Sequence, residues 1–385
     1  MCTGDFFMRK ISMVVCSVVS ALMLCEATQA AEIYNKDGNK LDFYGRVKAR
    51  HYISDGSMDG DRTFARLGFK GETQINESLT GFGQWEYQFL GFKTESEVRN
   101  DKNRLAFAGI RHNILGSLDY GRNYGVAYDV GALTDVLPDF GGDSWTYSDN
   151  YMTGRTTGVL TWRNTDFFGL VDGLTFSAQY QGKNDRDNLL EANGDGYGFS
   201  VSYDYEGFGI VAAYTNADRT SLQEKEGRKR FMTSKDSEGK EVITPRWIAG
   251  GKHAEFAGVG VKYNDNDLYL AADYSETRNM TPFGSAGIAD KARNIEVVAQ
   301  YMFDFGLRPS LAYVQSKGMD VKGGIVNYGD QSLVEYIDVG ANYFLNKNMS
   351  LLIDYKINLI DESEFTKKAG VATDNILAVG MMYQF

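Results

Sequence analysis

Cysteine, proline and histidine are all scarce in this chain. Its 385 residues include 3 cysteines (Cys2, Cys16 and Cys25), 4 prolines and 3 histidines. Because every cysteine lies near the start, the rest of the chain can form neither a disulfide nor a thiolate metal site. His51, His112 and His253 are scattered, and no G-x-S-x-G motif accompanies them, so a hydrolytic triad has little support. No metal or other cofactor is expected. Long apolar runs are also missing: beyond the first 30 positions none approaches the ~20 residues of a membrane-spanning helix. If the chain crosses a membrane, it must do so as a closed barrel, because backbone groups in lipid need internal partners. Positive charge is in deficit as well, with 40 Lys and Arg against 51 Asp and Glu and a net charge of −11. That balance argues against non-specific nucleic-acid binding through net charge.

The N-terminus reads as a targeting segment. Arg9-Lys10 supplies a basic region, Ile11–Cys25 an apolar one, and Ala27-Thr28-Gln29-Ala30 a small-residue cleavage site. Residues 1–30 are expected to be a cleaved signal peptide and 31–385 the mature domain. Met8 is an alternative start to Met1, and Leu24 is too large for the usual lipidation pattern at Cys25.

Aromatics (13%) and glycines (43) are plentiful, and side chains alternate with period two. Leu41, Phe43, Gly45, Val47 and Ala49 oppose Asp42, Arg46, Lys48 and Arg50. Trp85, Tyr87 and Phe89 oppose Gln84, Glu86 and Gln88, and Ile295, Val297, Ala299 and Tyr301 oppose Asn294, Glu296 and Gln300. Short connections such as Glu206-Gly207 and Asn264–Asp267 alternate with long polar ones near 54–61, 93–101, 125–151, 183–194, 218–252, 279–290, 318–331 and 360–373. Segments between the breaks number about sixteen, with roughly ten residues in each, the layout of a transmembrane barrel of the outer membrane. Tyrosines at strand ends, among them Tyr44, Tyr120, Tyr180, Tyr301 and Tyr343, read as interface girdles. The chain closes on Leu377, Val379, Met381, Tyr383 and Phe385, and this terminal aromatic strand reads as a barrel-assembly signal.

One long connection stands apart. Val130–Arg155 is too irregular for a strand, and any helix there is expected to stop at Leu137-Pro138. Gly141-Gly142 permits positive φ or close approach, and Asp135, Asp139, Asp143 and Asp149 crowd acid into it. An acidic loop facing arginines on one side of the strand alternation is the expected functional arrangement. As an acid/base pair Asp135 and Asp139 are weak candidates, since no spacing motif surrounds them.

Several stretches resemble the general, non-specific porins of the enterobacterial outer membrane. They include Ala31–Lys40, Ala65–Asn76, Gly83–Tyr87, Asp119–Gly125, Leu137–Asp143, Phe167–Gly173 and Tyr383-Gln384-Phe385. The resemblance spans essentially the whole mature chain. It implies an all-β protein: a sixteen-stranded antiparallel transmembrane β-barrel, trimeric and water-filled, with an inward-folded third long loop. Carried over residue by residue, the resemblance makes Arg46, Arg66, Arg104 and Arg155, with Lys102 nearby, the basic wall of a constriction. Asp135 and Asp139 become its acidic loop, with Pro138, Gly141 and Gly142 shaping that loop. Asp139 stands where Glu is common, and Gly154 where phosphate-favouring members carry Lys. The implied function is passive diffusion of small hydrophilic solutes and ions, with no enzymatic chemistry. The acidic balance of the chain predicts a weak cation preference, which the basic wall opposes. The implied partners are two further copies of the chain, membrane lipid and lipopolysaccharide. A substrate-specific channel such as a sugar porin is the alternative, with Tyr124, Tyr128, Trp145 and Tyr147 as a possible stacking slide. An outer-membrane lipase or protease and a soluble adhesin or lectin are more distant rivals.

Overall fold

The computed structural model describes residues 31–97, 101–235 and 237–385; the segment expected to be the signal peptide lies outside them. Sixteen long strands form the wall. They are β1 (Asn39–Ile53), β2 (Phe64–Gln74), β3 (Leu79–Leu90), β4 (Lys102–His112), β5 (Gly116–Tyr124) and β6 (Arg155–Asn164). There follow β7 (Leu174–Gln181), β8 (Gly196–Tyr205), β9 (Phe208–Asp218), β10 (His253–Asp265) and β11 (Leu268–Arg278). The last five are β12 (Lys291–Tyr301), β13 (Leu307–Gly318), β14 (Gln331–Phe344), β15 (Met349–Asn358) and β16 (Ile376–Gln384).

Each strand pairs antiparallel with the next, and β16 returns to β1 with Arg46 opposite Gln384 and Ile53 opposite Leu377. Closure is completed by the last residue. The Gly45 N–H donates to the Phe385 carbonyl and the Phe385 N–H to that of Gly45, both at 3.0 Å. Among the described residues, closure this way leaves none of the sixteen long strands as a free edge, which is what a lipid environment demands of a β structure. The connections at one rim are tight. Glu206-Gly207 and Asn266-Asp267 hold two successive positive φ values, the conformation whose twist matches a two-residue hairpin. The opposite rim carries the long connections, and those after β9, β11 and β13 contain small hairpins of their own, such as Phe231–Lys235 paired with Glu241–Pro245.

Side-chain alternation sorts the two faces. Tyr120, Tyr180, Tyr205, Phe208, Val261, Tyr301, Leu311 and Tyr383 are exposed on the outside. Glu86, Gln88, Gln179, Asp273, Asn294, Glu296, Asp338 and Asp354 are buried within. Tyr44 departs from the expected girdle. It shares parity with Arg46 and Lys48, so it points inward, where its hydroxyl donates to Glu86 Oε2 at 3.1 Å and accepts from Gln84 Nε2 at 2.6 Å.

Candidate functional site

The connection between β5 and β6 turns into the barrel. It starts with a single helical turn, Tyr128–Gly131, and becomes irregular before Pro138. Its first and last parts pack against the inner face of the strands beyond β8. Val130, Leu133, Trp145 and Met152 share a buried cluster with Val211, Ala213, Phe256, Tyr269, Ala271 and Val298. Trp145 is 1% exposed, and its ring lies 4.4 Å from that of Phe256.

Between those parts the loop is bonded to the wall residue by residue. Tyr269 Oη donates to the Leu133 carbonyl at 2.7 Å, Gln300 Nε2 to that of Val136 at 2.8 Å, and Lys48 Nζ to that of Pro138 at 2.7 Å. The Asp139 and Phe140 N–H groups donate to Asp354 Oδ2 at 2.7 and 3.1 Å. Asp143 accepts from Tyr336 Oη and Lys356 Nζ, both at 2.7 Å. Backbone carbonyls and N–H groups with no helix or strand partner are thereby satisfied by the barrel, as buried backbone must be. Gly141 and Gly142 hold φ of +90° and +58°. A Cβ on Gly142 would come within 2.8 Å of the Asp135 carboxyl carbon, so glycine is required there for both backbone and space.

On the opposite wall the expected cations do come together. Arg46 and Arg66 are cross-strand partners on β1 and β2, and the charges acting on Arg66 include Arg46, Arg104 and Arg155. Arg66 Nη2 donates to Gln88 Oε1 at 2.9 Å. Arg155 Nη2 donates to Ser148 Oγ at 2.8 Å, and its guanidinium lies 5.8 Å from the Tyr124 ring centre. Lys102 is exposed at the start of β4, within the fields of Arg155 and Arg104. One carboxylate sits inside this cationic group: Glu86 accepts from Arg104 Nε and lies 3.7 Å from Arg66 Nε.

The two loop aspartates occupy different positions. Asp135 accepts from Tyr128 Oη at 2.6 Å and feels the charges of Arg155 and Arg104. Burial pushes its carboxyl above the ordinary value, while the Tyr128 hydrogen bond and Arg155 oppose the shift. Asp139 corrects the expectation that both carboxylates line the opening. Its side chain is fully buried, paired with Lys48 Nζ at 2.8 Å and with Arg50 Nη1. Burial alone would raise the Asp139 carboxyl; Lys48 and Arg50 outweigh it and hold the group below the ordinary value. Asp139 therefore ties the loop to β1. The physical reason is that the loop crosses the lumen and reaches that strand, so the shorter aspartate meets cations at contact distance.

Lys48, Arg50, Glu86, Tyr336, Asp354 and Lys356 all belong to the site and were not among the expected residues. Strand parity carried the signal, since each lies on the inward face. Tyr124 and Tyr128 stack with centroids 4.6 Å apart. Trp145 and Tyr147, by contrast, are used within the loop: the Tyr147 hydroxyl donates to the Asp143 carbonyl at 2.7 Å. No four-ring slide is formed.

A closed sixteen-stranded cylinder with an apolar exterior, a polar interior and a loop bonded across its lumen defines a channel of the bacterial outer membrane. Residues 36–385 match the family of Gram-negative porins, and the chain belongs to that family. It is 58% identical over 383 residues to a putative outer membrane porin protein, NmpC, of Escherichia coli K12, covering 98% of this chain and all of that one. It is 60% identical over 374 residues to the outer membrane porin protein OmpD of Salmonella typhimurium LT2, covering 95% and 98%. Among solved structures, Salmonella typhi OmpF in complex with daunomycin superimposes with a TM-score of 0.80 at 47% identity, covering 92% of this chain and all of that one. The protein is a general diffusion porin of the Gram-negative outer membrane.

Proposed function

We propose that small hydrophilic solutes and ions pass between the cluster Arg46, Arg66, Arg104, Arg155 and Lys102 on one side and the loop carboxylate Asp135 on the other. Guanidinium groups keep their charge at any physiological pH, so a fixed transverse field spans the opening. Charged side chains at a constriction set both its diameter and the local potential. Polar solutes orient in such a field and cross; apolar ones gain nothing from it. This reading is supported by the clustering of four arginines, from β1, β2, β4 and the first residue of β6, with Glu86 beside Arg66 and Arg104. Asp139 acts one step back, as the tether. Pro138, Gly141 and Gly142 give the loop its shape. No bond is made or broken, and the protein is a channel without enzymatic activity.

The working unit is a homotrimer in lipid and lipopolysaccharide. Support comes from the outer face of β2, β3 and β4, where Gly71, Gly81 and Gly83 border a shallow depression of about 490 Å³. Small side chains let a neighbouring subunit approach closely, while the aromatic exterior elsewhere suits lipid and its headgroup interface. Residues 1–30 act as a cleaved export signal, and Tyr383 and Phe385 as the strand end recognised during barrel assembly.

Planar-bilayer recording tests the reading. Large ohmic current steps that close in threes, with weak ion selectivity, are expected. Saturable block by one solute class would favour a substrate-specific channel, for which the Tyr124–Tyr128 stack beside Arg155 is the supporting feature. A folded trimer without conductance would contradict both.

A further inference from the structure

The inner wall beneath the loop holds two carboxyls that the constriction does not use. Asp273 on β11 and Glu296 on β12 are direct cross-strand partners. Both are almost fully buried, and both close on one hydroxyl of the loop. Thr134 Oγ1 lies 2.7 Å from Asp273 Oδ2 and 2.7 Å from Glu296 Oε2, with the Gly131 carbonyl a third acceptor at 3.3 Å. The outer oxygens are already satisfied. Asp273 Oδ1 accepts from Trp145 Nε1 at 3.3 Å, and Glu296 Oε1 accepts from Ser144 Oγ at 2.5 Å. A threonine hydroxyl owns one proton and can donate to only one partner. Two ionised carboxylates would leave one oxygen at contact distance from Thr134 with no proton between them. Two like charges would also be buried together on either side of one hydroxyl.

We infer that Asp273 and Glu296 are positioning residues that hold the constriction loop through one shared proton. One carboxyl donates to Thr134 Oγ1, Thr134 donates to the other, and Ser144 and Trp145 close the ring from the far side of the loop. Among the described residues no ammonium or guanidinium is among the main charges acting on either carboxyl. The titratable groups facing the pair are Asp143 and Tyr147 from the loop and Tyr336 from β14. None supplies compensating positive charge, and the nearby Lys356 is engaged by Asp143. Losing the proton in alkali would set two charges against each other beneath Thr134 and release the middle of the loop. The inference rests on the reading that this loop sets the width of the pore.

Asp273→Asn separates a shared proton from ordinary packing. Its amide can accept from Trp145 and donate to Thr134, so the ring is complete with Glu296 ionised and no shared proton left to lose; Glu296→Gln does the same from the other side. Single-channel conductance and closing noise are to be recorded from neutral to alkaline pH for the wild type and both amide variants. The wild type should become noisier and more conductive in alkali, and that response should be lost in both variants while their neutral-pH conductance stays unchanged. The second buried carboxyl pair, Asp338 and Asp354, is common to all three forms and cancels in the comparison. Amide variants that respond to alkali as the wild type does would overturn the inference, as would a wild type with no alkaline response. Loss of all current from folded wild-type trimer would instead count against the pore itself.

Discussion

The two inner walls of this barrel face each other across the lumen and are built from opposite materials. The wall of β1 to β4 presents Arg46, Lys48, Arg50, Arg66, Glu86 and Arg104, nearly all held by ion pairs or hydrogen bonds to neighbouring side chains. The wall of β9 to β13 presents Val211, Ala213, Ala271, Val298 and Ala312 around the paired carboxyls of Asp273 and Glu296. The first wall is a fixed field, because salt-bridged guanidiniums on strands cannot easily move away from a passing solute. The second is a seat, because small apolar side chains accept the loop and bury Trp145 and Leu133 on it. One barrel thus uses polar packing on one wall, beside which the proposed solute path runs, and apolar packing where the loop is seated. The loop converts the second wall into an acidic face opposite the first.

Removing the largest contact on the seat gives the largest expected effect. Trp145→Ala deletes a fully buried ring against Phe256 and should cost the loop's attachment about 3–5 kcal/mol. Higher, noisier conductance and faster proteolysis within residues 128–150 are expected; unchanged behaviour would mean that the apolar wall is not what holds the loop. Gly142→Ala is a smaller change. It forces a side chain into the left-handed region, at a cost of about 1–3 kcal/mol, and pushes on Asp135. A shift in ion selectivity with a modest drop in thermal stability should be seen by reversal potential and by heat dissociation of the trimer.

On the charged wall the effects are weaker and electrostatic. Arg104→Ala removes one positive charge and leaves Glu86 with Arg66. At ~7 Å in water a unit charge is worth about 0.6 kcal/mol, so cation permeability should rise and anion permeability fall by about threefold each, and their ratio should rise about sevenfold. Acid separates the two loop aspartates. Asp135, whose carboxyl is raised, loses its charge first as pH falls, moving selectivity toward anions. The Asp139 tether behaves the other way. Its carboxyl is depressed, so the stability it contributes is fully present above the ordinary value of 3.8 and lost only as pH falls through the lower folded value. Selectivity should therefore change at a higher pH than loop attachment, as read by conductance noise in the same titration.

The charged wall was legible in the sequence and the seat was not. Arg46 stands out as a cation on the polar side of a period-two pattern, and the resemblance singles it out together with Arg66, Arg104 and Arg155. On β9 and β13 both faces are apolar, so Val211, Ala213 and Ala312 carry no sign of which way they point. For Asp139, spacing along a loop says nothing about which strand it meets; only the fold brings it to Lys48 and Arg50. Tyr44 looked like a girdle residue for the same reason, since its position near a strand end outweighed its parity with Arg46.

Reversal potential across a KCl gradient reads the field across the opening. Wild-type trimer and Asp135→Asn are to be compared in the same bilayer at neutral pH. Asp135→Asn should move the reversal potential toward anion selectivity while single-channel conductance changes little, because the tether at Asp139 is untouched. An unchanged reversal potential, with the loop intact, would show that Asp135 does not face the arginines across the path of the ions.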